Sequence, residues 1–184
     1  MKVMEENIFQ LKITLKSSKP PIWRRVLVKN SLKLEDLHYL IQSIFENWDN
    51  SHLHVFIVGK ETYGNSEDDD YDENEVILLD VLPEAGNKMS YIYDFGDNWD
   101  HEIVLEKVLK IEKGQEYPIC IDGKRACPYE DSGGVWGYES KLEITKDPKH
   151  ACYKEVVEWM NEGDFDPEYF DLEKINKQLR RTFK

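Results

Sequence analysis

The segment YDFGDNWDHEI, Tyr93 to Ile103, brings three aspartates, a glutamate, a histidine and three aromatics into eleven residues around one glycine. Carboxylates and an imidazole gathered at a bend can do two kinds of chemistry: coordinate a divalent cation, or take up a positively charged partner. Register decides what faces what, because a slip of one residue turns a strand over. A three-residue loop, Gly96-Asp97-Asn98, sets Phe95 against Trp99 and Tyr93 against His101. It gathers the apolar residues of both strands, from Met89 to Leu105, on one face. A two-residue Gly96-Asp97 turn suits glycine chemistry but divides the aromatics between faces. Apolar burial favours the longer loop, which then puts Asp94 across from Asp100 with Glu102 further along. Like charges opposite each other ask for a compensating cation. Arg24, Arg25 and Arg125 are the candidates, a bound divalent metal is the sharper alternative, and acids that simply face water are the plainest.

Other residues invite the same weighing. His52 and His54, one residue apart on an expected strand, point the same way, and with Cys120 and Cys127 they offer a Cys2His2 zinc set. The wide cysteine spacing favours packed histidines and buried thiols instead. His38 lies on an apolar helical stripe and reads as a core histidine. The acidic run Asn65–Glu75 mimics a calcium loop, yet Glu73 stands where the loop needs glycine and Leu79 where it needs a bidentate acid. A solvated loop is the expectation. HEIVL lacks the second histidine of a zinc-protease helix, and no phosphate-binding loop, nucleophile elbow or dinucleotide fingerprint occurs. Nucleophilic chemistry at Cys120 or Cys127 has no base that spacing identifies. The stretch CIDGKRACPYEDSGGVWGYE is richer. Its Gly133-Gly134 pair opens unusual backbone conformations, and Lys124, Arg125, Glu130 and Asp131 supply both signs of charge. Arg125 held against the hairpin acids would form a clasp, a pocket, or both.

The elements that must position these groups follow from periodicity. Phe9, Leu11, Ile13 and Leu15 alternate with polar residues and mark a strand; IWRRVLVK marks a second beyond Pro20-Pro21. Leu34, Leu37, Ile41, Ile44, Phe45 and Trp48 recur at helical spacing, with Ser31 as N-cap. HLHVFIV is a third strand, EVILLDVL is either strand or helical turn, and the hairpin supplies two strands more. A long loop follows, then helices with apolar faces at Tyr153, Val156, Val157 and Met160, and at Leu172, Ile175 and Leu179 behind an Asp171 cap. Strands leading and helices trailing predict an α+β fold: an antiparallel sheet of about five strands with helices packed against it. One domain is expected over 1–184, with residues 135–184 its helical C-terminal part.

A net charge of −13 works against non-specific binding to phosphate backbones. The basic C-terminal residues Lys177, Arg180, Arg181 and Lys184 suit the end of a helix. No run is apolar enough for a membrane span, and MKVMEENIFQ carries no leader pattern. Three cysteines in an odd, unpaired arrangement suit a reducing, cytoplasmic setting.

IWRRVLV, LHYLIQSIFENWDNSHLHVF, YDFGDNWDHEIVLE, YPICIDGKRACPYEDSGG and FDPEYFDLEKIN together resemble the plasmid pRiA4b ORF-3-like proteins over nearly the whole chain. The resemblance implies an α+β domain of bacteria and archaea, in some cases carried by insertion sequences, with no established activity. A resolvase label attached to some members finds no recombinase active site here. The family pattern marks Trp23, Arg24, Arg25, His38, His52, His54, Tyr93, Asp94, Gly96, Asp97, Trp99, His101, Glu102, Cys120, Gly123, Arg125, Pro128, Glu130, Asp131, Gly133 and Gly134. Tyr129 stands where proline is usual, and Asn47 where a small residue is. The expected working surface therefore joins the hairpin bend to the 120–134 loop, with Arg24, Arg25, Asp94, Asp97, Trp99, His101, Glu102, Arg125, Glu130 and Asp131 as its ligand-binding candidates. A non-catalytic module for a protein or small-molecule partner is the leading function. A metal-dependent enzyme acting on a phosphate-containing substrate and a nucleic-acid-associated protein are the alternatives.

Overall fold

Alternating apolar residues become one large sheet in the computed structural model, which describes residues 5–46, 48–160 and 164–184; the Asn47 departure lies outside them. The strands are β1 (Ile8–Leu15), β2 (Ile22–Lys29), β3 (His54–Val58), β4 (Glu61–Gly64), β5 (Tyr71–Asp72), β6 (Lys88–Tyr93), β7 (Trp99–Leu109) and β8 (Ile119–Lys124). The helices are α1 (Leu34–Phe45), α2 (Leu78–Val81), α3 (Gly134–Thr145), α4 (Tyr153–Trp159) and α5 (Leu172–Thr182). Strand order is β5-β4-β3-β6-β7-β1-β2-β8, antiparallel except for the β4–β5 pair.

The α+β class is as expected, but the sheet has eight strands rather than about five. The three extra strands lie where composition hid them. β4 and β5 are four and two residues long and sit beside or within the acidic run. β8, ICIDGK, contains a glycine and follows a proline, yet it extends the sheet by pairing with β2. Such edges are held by backbone hydrogen bonds, which leave little apolar periodicity to read.

On the covered face Phe9, Leu11, Ile13 and Leu15 meet Val28, Val26, Arg24 and Ile22 across the β1–β2 pair, and all eight are buried. Met89, Tyr91 and Tyr93 of β6 and Trp99, His101, Ile103 and Leu105 of β7 continue this face. α1 lies on it through Leu34, Leu37, Ile41, Ile44 and Phe45, all fully buried. Each such aliphatic side chain contributes about 1.5–3 kcal/mol by leaving water. The helix starts later than a Ser31 cap predicts. Lys33 is its N-cap, without a side-chain bond, because the preceding segment is tied by backbone instead: Leu34 N–H donates to the Val76 carbonyl at 3.0 Å and Leu78 N–H to that of Leu32 at 2.9 Å. EVILLDVL thus resolves into this tie and the short helix α2.

The opposite face of the sheet carries ion pairs: Lys16 with Asp100 at 2.9 Å, Lys88 with Glu102 at 3.2 Å, and Arg25 with both Glu106 and Asp122. At the far edge α5 packs on α1 and β8. Asp171 caps it as expected, accepting from Lys174 N–H at 2.9 Å. The Asn176 amide bonds both the N–H and the carbonyl of Cys120, a side chain acting as one more rung of the ladder.

Candidate functional site

The hairpin keeps the expected parity and changes the loop. Tyr93 pairs with Trp99 and Tyr91 with His101, so the aromatic faces coincide, but the turn spans five residues, 94–98, instead of three. Asp94 and Asn98 both take left-handed backbone, at φ 56° each, a region aspartate and asparagine tolerate better than other side chains. Asn98 N–H donates to the Asp94 carbonyl at 2.6 Å, and the Asp94 carboxylate accepts from Gly96 N–H at 2.9 Å. The turn therefore closes on itself and leaves Phe95 outside, 56% exposed. Asp94 does not face Asp100, which lies across from Ile92 on the other side of the sheet and pairs with Lys16.

The glycine-rich segment comes to this turn. Asp97 accepts from Gly133 N–H at 3.1 Å, which sets a carboxylate at the N-terminus of α3, where the helix dipole favours it. Gly134, at φ +67°, packs so closely on the Asp97 carbonyl that a Cβ would collide with it. The Tyr93 hydroxyl donates to Glu130 at 2.6 Å, and Asp49 N–H donates to the same oxygen at 3.2 Å. His52 Nδ1 lies 3.7 Å from Asp94 Oδ1. His52, Asp94 and Asp131 each present a ligand atom within 4.8 Å of the others.

None of the three arginines expected to neutralise these acids does so. Arg24 is buried, donating to the Ile44, Trp23 and Lys124 carbonyls with its guanidinium over Phe45 and Phe170. Arg25, next in sequence, must point to the other face, where Glu106 holds it at 2.7 and 3.0 Å. Arg125 donates to Glu168 and to the Pro20 carbonyl, each at 2.7 Å. Glu102 is on the open face with Lys88. Trp99 and His101 are core residues: His101 donates from Nδ1 to the Trp99 carbonyl at 2.9 Å, and burial pushes its pKa down to about 3. Of the ten ligand-binding candidates, Asp94, Asp97, Glu130 and Asp131 are brought together.

The zinc set does not assemble. β3 begins at His54, so His52 is not on the strand and the two histidines part. His54 donates to the buried Glu73 at 2.8 Å and stacks on His38 at 3.6 Å. Glu73 is thus the one member of the acidic run drawn into the core. Cys120 and Cys127 are buried in the core cluster, and no cysteine is in a disulfide. Burial raises the Cys120 thiol to about 11, far from a reactive thiolate. Tyr129, the departure from proline, packs its ring on Phe165 and edge-on to Trp159.

Sequence reasoning named His52, although in a different ligand set, and missed the contribution of Asp49 and Asn50 beside it. Asn50, at φ 61°, accepts from His38 Nε2 at 2.5 Å, while His38 Nδ1 takes the Tyr91 hydroxyl at 2.8 Å. Burial, then the neighbouring His54, lowers His38 to about 3. A neutral core histidine therefore anchors the loop that carries Asp49 and His52. Asp49 sits below the usual carboxylate range because Ser51 hydrogen-bonds it, and Glu130 above it because of burial. Among the described residues, no lysine or arginine is ion-paired with Asp49, Asp94, Asp97, Glu130 or Asp131. Asp94 is only 8% exposed. The signals for this junction were the density of acids and turn formers on either side of Trp48 and Gly133 and the family pattern that marks His52, Asp94, Asp97, Glu130, Asp131, Gly133 and Gly134.

Fold and site define a two-layer α+β protein with an acid-lined junction at the tip of its central hairpin. The chain belongs to the plasmid pRiA4b ORF-3-like protein family, whose family model matches residues 7–174. It is 34% identical over 181 residues to the uncharacterized protein y4hQ of Sinorhizobium fredii (strain NBRC 101917 / NGR234), covering 96% of this chain and 92% of that one. It is 42% identical to a protein of unknown function, MM3350 from Methanosarcina mazei Go1, whose crystal structure superposes with a TM-score of 0.84 over 92% of this chain and 98% of that one. These relatives are themselves uncharacterised.

Proposed function

We propose that the protein is a binding module, acting inside the cell, whose working surface is the junction of the 49–52 loop, the 94–98 turn and the 129–134 segment, and that this surface takes a divalent cation. The observation that carries the reading is the His52, Asp94 and Asp131 donor set within 4.8 Å, beside acids that no lysine or arginine neutralises among the described residues. A largely buried carboxylate such as Asp94 is costly unless an opposite charge compensates it. One imidazole and two carboxylates suit zinc or manganese better than calcium, which prefers all-oxygen cages. Donors about 2.1 Å from a shared ion lie at most about 4.2 Å apart, so little rearrangement completes the set.

The phosphate-substrate and nucleic-acid readings draw no support from this surface, since Arg24, Arg25 and Arg125 are all bonded elsewhere. Among the described residues no helix is long and apolar enough to cross a membrane, and the undisulfided cysteines support the cellular setting. The proposal is tested by thermal unfolding with and without Mn²⁺ or Zn²⁺. Saturating ion should raise stability by about 2.7 kcal/mol at a hundred times Kd, and His52→Ala together with Asp131→Ala should abolish the gain. An unchanged gain in that double variant refutes the site.

A further inference from the structure

Away from the acid-lined junction, α3, α4, the β1–β2 turn and residues 165–168 line an open cavity of about 860 Å³, within the range of small-molecule sites. We infer that it binds a small organic carboxylate with an apolar body, gripped by Arg125. Trp136, Leu142, Tyr153, Val157, Met160 and Phe165 supply the apolar wall. Arg125 lines the same space with its side chain only 5% exposed. It donates from Nε to Glu168 and from Nη1 to the Pro20 carbonyl; Nη2 has no hydrogen-bond partner among the described residues. A guanidinium with its Nη2 unused, in a cavity lined by both polar and apolar side chains, matches a carboxylate, which it can hold with two parallel bonds once Glu168 gives way.

Four further observations favour an anionic ligand with an apolar part. Two of the lining carboxylates are already engaged: Glu143 pairs with Lys146 at 2.6 Å and Glu139 accepts from Lys19 N–H at 2.7 Å. Glu168 is 59% exposed, so the carboxylate now on Arg125 is one that water reaches and a ligand can replace. Arg125 itself is held at φ 69°, a left-handed conformation that is unfavourable for a bulky residue and that clusters at ligand clamps. Trp136, 74% exposed, stands at the wall as an indole for the ligand body to cover.

The test uses the full chain labelled with ¹⁵N and follows the Trp136 indole resonance, assigned through Trp136→Phe. The probes are 3-phenylpropionate, indole-3-propionate and octanoate, each against its neutral amide. A saturable shift is expected with at least one acid, and binding about tenfold or more weaker for the matching amide. Val157→Trp, which fills the cavity and leaves Arg125 in place, should abolish the shift, and Arg125→Lys should weaken it about tenfold. Equal response to acid and amide, no saturable response to any acid, or binding that survives Val157→Trp overturns the inference. Asp94→Ala leaves this site untouched, so its failure and that of the cation site are read separately.

Discussion

His38 and His101 hold their imidazoles where water does not reach, and both are pushed by burial from 6.5 to about 3. Between these values the unfolded chain binds protons that the folded chain does not. Stability is therefore complete above pH 6.5 and is lost as pH falls toward 3. Each histidine should remove about 2 kcal/mol by pH 5. Urea unfolding at pH 7 and pH 5 measures the loss, and His38→Gln should remove about half of the pH sensitivity that the two share. Arg24 makes a second prediction. Arg24→Met leaves the Ile44, Trp23 and Lys124 carbonyls without this donor, so a loss of about 3 kcal/mol or more is expected in the same assay. At this scale the chemical types were legible and the partners were not. Arg25 meets Glu106 through β7, whose pairing with β1 shifts between Gln10 and Leu11. Arg125 reaches a glutamate 43 residues away. No local pattern specifies a bulge or a return of the chain.

The element that locks the junction is α3. Its N-terminal Gly133 N–H is capped by Asp97 from the hairpin turn; Asp97→Ala should cost about 1 kcal/mol. Gly134→Ala should cost more, because the left-handed backbone and the Asp97 carbonyl both oppose a Cβ. Thermal unfolding of the two variants orders the effects, and equal stabilities would deny that the close contact of Gly134 with the Asp97 carbonyl locks the junction. The long alternating strands and α1 were legible because half of each is buried, so apolar residues repeat at the period of the element. β4, β5 and β8 were not: they are held to the sheet by main-chain bonds, and their sequences satisfy turn chemistry equally well. The hairpin falls between. Apolar burial fixed its parity, while the length of its turn was set by Asp94 and Asn98 adopting positive φ, which composition does not announce.

Across the whole molecule charge is sorted by surface. Lysines and arginines answer the acids on the open face of the sheet, whereas among the described residues no lysine or arginine pairs with the acids at the tip of the central hairpin. Exposed ion pairs contribute little each, so Lys16→Ala should change stability by less than about 1 kcal/mol. The acids at this tip are the groups proposed to take up a divalent cation. Isothermal titration of the metal-free chain with Mn²⁺ and Zn²⁺ is the most direct measurement. About one ion per chain is predicted, with Asp94→Ala weakening binding about tenfold or more while the fold persists. No saturable uptake, or uptake that Asp94→Ala leaves unchanged, would contradict the account.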